Sequence, residues 1–83
     1  MSNRPAEFQT TDIDLSATIM TATGKIPAVL SRPGKALVTF EFADDDATRA
    51  VVFTYATGEL VQPVKRFAAC RSWLYRKAKE VTR

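Results

Sequence analysis

Eighty-three residues, 46% hydrophobic and 25% charged, are enough for one core and too few for two, and the mixture lies well outside the range of disordered chains. Cys70 is the only cysteine, which excludes an intrachain disulfide, and the lack of histidine removes the usual zinc ligand sets. The formal charge of +3 hides a division: residues 63–83 carry seven Lys and Arg against one acid, a net +6, whereas residues 1–62 carry five against eight, a net −3.

The N-terminal stretch MSNRPAEFQTTDIDL has no apolar signal core, and no apolar run approaches the roughly 18 residues of a bilayer span. A cytoplasmic address with no membrane partner is therefore expected. Residues 1–7 are polar and contain Arg4-Pro5, the pattern of a flexible N-terminal arm anchored at most by Phe8. One compact domain is expected over residues 8–83.

Thr10-Thr11-Asp12 offers side-chain oxygens for the unpaired N–H groups of a helix start, with Asp12 and Asp14 at the positive end of its dipole. Leu15, Ile19 and Ala22 recur at helical spacing, Ile13 and Met20 widen that stripe, and Gly24 supplies a left-handed terminator. The spacing predicts a helix over 12–23. A hairpin follows: 26–32 and 36–43 are rich in β-branched and aromatic residues, and Arg32-Pro33-Gly34-Lys35 between them suits a type II turn. In the second strand Val38, Phe40 and Phe42 fall on a core face, with Thr39 and Glu41 on a wet one.

Asp44-Asp45-Asp46 opens a second helix over 46–57, capped by Asp46 or Asp45, with Ala47, Val51 and Tyr55 as its stripe and Gly58 as its stop. Pro63 fits the first turn of a third helix, whose stripe is Phe67, Cys70, Leu74, Ala78 and Val81. The expected class is α+β: an antiparallel two-stranded hairpin packed on one face by three helices, in the order α-β-β-α-α. Its strand edges are either blunted by charge and Pro27 or paired with a second copy, so both monomer and homodimer fit.

These elements, read as Phe8-Gln9-Thr10-Thr11-Asp12, Gly24, the L-V-T-F-E-F strand of 37–42, Tyr55-Ala56-Thr57-Gly58-Glu59 and residues 67–75, resemble a small uncharacterised domain family of bacteria and mobile genetic elements. The resemblance spans about residues 8–77 and rests on order and spacing. Pro63 departs from the polar cap expected of that pattern, and the last helix is more basic. The resemblance implies a compact fold and assigns no catalytic residue.

On a helical wheel Lys65, Arg76, Lys79 and Arg83 lie on the side away from Leu74, while Arg66, Trp73 and Lys77 form an adjacent strip. A cation row attracts phosphates, and an exposed indole stacks on unpaired bases. Lys65, Arg66, Trp73, Arg76, Lys77 and Lys79 are thus the candidate contacts for nucleic acid or an acidic protein. The same cations also complement a helix C-terminus, and a lone Trp also serves as a packing residue.

Other chemistry is poorly supplied. The triple aspartate lacks the glycine and closing glutamate of a calcium loop and reads as helix capping. Cys70 sits on an apolar stripe with no histidine to ionise it, and Ser16, Ser31 and Ser72 lack a base. The sequence predicts a non-enzymatic binding module without cofactor or metal. The alternative is a structural or protein-interaction subunit using the hairpin edge or Val52 and Phe53.

Overall fold

The computed structural model describes residues 7–31 and 38–82. Residues 1–6 of the arm expected over 1–7, the turn at 32–35, strand residues 36 and 37, and Arg83 lie outside them. The elements are β1 (Glu7–Thr10), α1 (Ile13–Thr23), β2 (Ala28–Ser31), β3 (Val38–Ala43), α2 (Asp46–Thr57) and α3 (Val64–Thr82). The class is α+β as expected, but the order begins with an additional strand. The sheet has three antiparallel strands in the order β1-β3-β2, in place of a two-stranded hairpin.

Glu7 and Phe8 therefore belong to the sheet, and Glu7 is not part of a loose arm. Phe8 pairs across β1 and β3 with Phe42, and Thr10 with Phe40. Aromatic cross-strand pairs on a buried face hold such a short strand in register. With Val29 opposite Phe40 and Ser31 opposite Val38, one sheet face carries Phe8, Val29, Val38, Phe40 and Phe42, all of them in or against the core. On the other face Gln9 donates to Glu41 at 2.6 Å. Thr39, expected to be wet, is buried: it lies on the central strand, opposite Leu30 of β2.

α1 is the hub of the helices, packing most extensively on α3 and next on α2. Asp12 caps it, accepting the N–H groups of Asp14 and Leu15 at 2.9 and 3.1 Å. Gly24, at φ 74°, ends it in the left-handed conformation, its N–H donating to the Met20 carbonyl. Burial runs almost around the helix: Leu15, Ser16, Ala17, Thr18, Ile19 and Thr21 are all inside, whereas Ala22, expected in the stripe, is exposed. A one-sided stripe does not describe a helix covered from several directions.

Small side chains make that coverage feasible. The buried hydroxyls are satisfied within α1 itself: Ser16 donates to the Asp12 carbonyl at 3.0 Å, Thr18 to Asp14 at 2.8 Å and Thr21 to Ala17 at 2.7 Å. They need no partner on a neighbouring helix, so the packing surface stays chemically apolar in effect.

α2 is capped by Asp45, the later of the two starts having failed to supply the cap: the Asp45 carboxylate accepts the Thr48 N–H at 2.9 Å. Its inward residues are Thr48 and Val51, with Val52 and Tyr55 against the core, while Ala47 is exposed. Val51 and Tyr55 hold the expected face, and Thr48, buried completely, takes the contact expected of Ala47. Pro63 immediately precedes α3, its carbonyl accepting the Phe67 N–H at 3.0 Å. Leu74 is fully buried and Phe67, Cys70 and Trp73 pack against the same core, whereas Val81 lies at the exposed end.

The hydroxyl accounting makes Ser16 a discriminating position. Ser16→Ala is expected to leave urea stability nearly unchanged, since the Asp12 carbonyl keeps its bond from the Ser16 N–H. Ser16→Leu is expected to cost about 1–3 kcal/mol or more by overpacking. Equal midpoints for the two variants would show that α1 is not closely packed at this site.

Candidate functional site

The α2–α3 connection and the first turns of α3 are tied to α1 through its backbone. Gln62 donates its side-chain amide to the Thr18 carbonyl at 2.8 Å, and Arg66 donates Nη2 to the Thr21 carbonyl at 3.1 Å. Thr21 lies in the last turn of α1, where carbonyls have no helical N–H to accept and the dipole is negative. No basic residue of α1 itself occupies that turn. Arg66 supplies the missing cation from another helix.

The six candidate contacts consequently divide. Arg66 is engaged with α1. Trp73 is half-buried and packs against the core, with Lys77 Nζ 5.5 Å from its ring centroid. Lys77 also pairs with Glu80 at 3.5 Å. Lys65, Arg76 and Lys79 are exposed and form no ion pair among the described residues. These three share the side of α3 opposite Leu74 by helix geometry. Over Lys65 to Lys79 that ridge runs about 21 Å, at about 1.5 Å per residue.

A further cation is spoken for on the opposite flank. Arg71 Nε donates to Asp14 Oδ1 at 2.6 Å, its Nη2 donates to the Tyr75 hydroxyl at 3.1 Å, and its guanidinium lies 4.8 Å from the Tyr75 ring centroid. The hydrogen bond to Asp14 holds the guanidinium above its already high ordinary pKa. Arg71 is thus turned from its neighbour Cys70, a half-buried free thiol packed against the core.

The aspartate run is also accounted for. Asp45 caps α2 and pairs with Lys25, while Asp44 and Asp46 face Arg49 at 3.3 and 3.6 Å. Among the described residues no cluster of acids or Cys is placed to hold a metal ion, and no helix is long and apolar enough to cross a membrane.

Two apolar grooves flank α3, neither of them evident from the sequence. One, of about 340 Å³, is lined by Thr18, Tyr55, Leu60, Gln62, Val64 and Phe67. The other, of about 280 Å³, is lined by Met20, Ile26, Ala69, Cys70 and Trp73. Ile26 is 71% exposed at its rim. The sequence signal is Ile26 itself, an apolar residue just after a helix-ending glycine; expected in a strand, it precedes β2 by two residues.

Comparison of the chain with protein-family models, with curated proteins and with solved structures gave no match.

Near the first groove the Tyr55 hydroxyl donates to Asp12 Oδ2 at 3.4 Å. Desolvation, and then the charge and hydrogen bond of Asp12, hold the Tyr55 phenol above its ordinary value of 10.0. The folded state therefore retains this proton longer than the unfolded chain. Its contribution to stability is complete below about pH 10 and is lost as pH rises through the folded value. In an alkaline absorbance titration the component removed by Tyr55→Phe is expected to ionise above pH 10, and Asp12→Asn is expected to move it down. A midpoint at the free-phenol value in the native protein would contradict this.

Proposed function

We propose that the protein is a non-enzymatic binding module whose third helix engages a polyanionic partner, nucleic acid or an acidic protein. The observation that carries the reading is the ridge of Lys65, Arg76 and Lys79, exposed and without ion pairs among the described residues. Cations that serve only to hold a fold are expected to have partners, as Arg66 and Arg71 do. The three on the ridge face solvent, where they attract phosphates or carboxylates at long range.

An anisotropy titration with a labelled single-stranded oligonucleotide over a salt series tests the reading. Affinity is expected to fall steeply with salt, and neutralising Arg76 and Lys79 to Gln is expected to reduce the magnitude of the log–log slope by about 0.7 per cation removed. An acidic peptide run in parallel separates the two partner classes. Absence of binding to either at low salt would end the proposal.

A second reading, a structural or protein-interaction subunit, is supported by a different surface. Phe53 is 70% exposed, and Val61 and Val64, in and after the α2–α3 connection, are 92% and 79% exposed. The sheet edges are the four-residue strands β1 and β2, short enough to contribute little pairing by themselves. Self-association through the apolar surface would appear as a concentration-dependent mass in light scattering that Phe53→Ser or Val64→Ser abolishes. A constant monomer mass over the series would remove homodimerisation.

A further inference from the structure

The groove lined by Met20, Ile26, Ala69, Cys70 and Trp73 occupies the flank of α3 next to the cation ridge that the polyanion reading uses. Ala69 follows Lys65 by four residues. Trp73 precedes Arg76 by three and Lys77 by four, the spacings that place helix side chains next to one another. Lys77 extends over the Trp73 ring. The apolar wall is completed from across the interhelical seam by Met20 of α1 and by the exposed Ile26.

The lining sets the class of occupant. Two thioether or thiol sulfurs, an indole N–H and otherwise carbon offer little hydrogen bonding. A nucleobase seated there would leave the polar atoms of its edges unpaired at appreciable cost, whereas an aliphatic side chain carries none. The cations beside the groove select a negatively charged segment around that side chain. From this complementarity we infer that the groove seats a single apolar side chain of an acidic peptide segment, whose flanking carboxylates lie against Lys65 and Arg76. The inference rests on the polyanion reading and makes its partner a protein.

The lone Trp73 is a direct reporter, because all indole emission comes from the groove wall. The test uses the full chain and three probes: a short acidic peptide with one central Leu, the same peptide with Ala in its place, and a single-stranded oligonucleotide of equal charge. The Leu peptide is expected to bind about tenfold more tightly than the Ala peptide and to shift the indole emission to the blue. Ile26→Ser, a change at an exposed position that leaves the core intact, is expected to erase the advantage of the Leu peptide while sparing the Ala peptide.

Equal affinities for the two peptides with unmoved emission would overturn the groove and leave the cation ridge standing. Oligonucleotide binding that shifts the indole emission, with no peptide binding, would overturn it in favour of a base-stacking surface. No binding of any probe at low salt would overturn the groove and the polyanion reading together.

Discussion

The close approach of α1 to its neighbours, made by hydroxyl side chains that bond to their own helix, is the constraint on which the rest of the structure depends. Ser16, Thr18 and Thr21 are short enough to let other elements come near and are satisfied by Asp12, Asp14 and Ala17. Larger aliphatic residues at these positions would push α2 and α3 away from the helix. With α1 enclosed, Leu74 of α3 and Val51 of α2 join one core with Phe40 and Phe42 of the sheet. A protein of this size gains a continuous interior by making its central helix thin.

The same packing decides what each cation of α3 does. Arg66 reaches a backbone carbonyl at the negative end of α1, and Arg71 reaches Asp14 in its first turn, so these two clamp α3 along the length of α1. Polar links of this kind, exposed at one side, contribute modestly in energy and strongly in orientation. Once the helix is set in rotation, Leu74 faces inward and Lys65, Arg76 and Lys79 face water. The charge asymmetry of the sequence is thus partly architectural, and its remainder is concentrated on one ridge beside an apolar groove.

Caps and glycines were legible because their chemistry is local. Asp12, Gly24 and Gly58 bound their helices where side-chain oxygens and positive φ require them, and Leu74 was evident from spacing alone. Failures arose where tertiary context decides. β1 has one apolar residue in four, and its strand state depends on Phe42, 34 positions away in sequence. Ala22 and Ala47 were placed inside by period, yet Thr18, Thr21 and Thr48 occupy the close contacts instead. A self-bonded threonine looks polar in sequence and behaves as a small packing residue in the fold. The ridge was visible on a helical wheel, whereas the engagement of Arg66 and the Met20–Ile26 groove require α1 and α3 to be brought together.

The pairing of β1 with β3 has a consequence for the order in which the molecule forms. Each early segment depends on a late one: β1 on β3 for its ladder, and α1 on α3 for the cover contributed by Leu74 and for the guanidinium that closes its last turn. Contacts of such separation impose their loop-closure entropy before they return any stabilisation. A nascent chain that has emerged only as far as α2 holds a helix with its seam open and no partner for that surface. The core is complete only with α3 in place, so the basic helix that meets the solvent also supplies the residue, Leu74, that closes the interior.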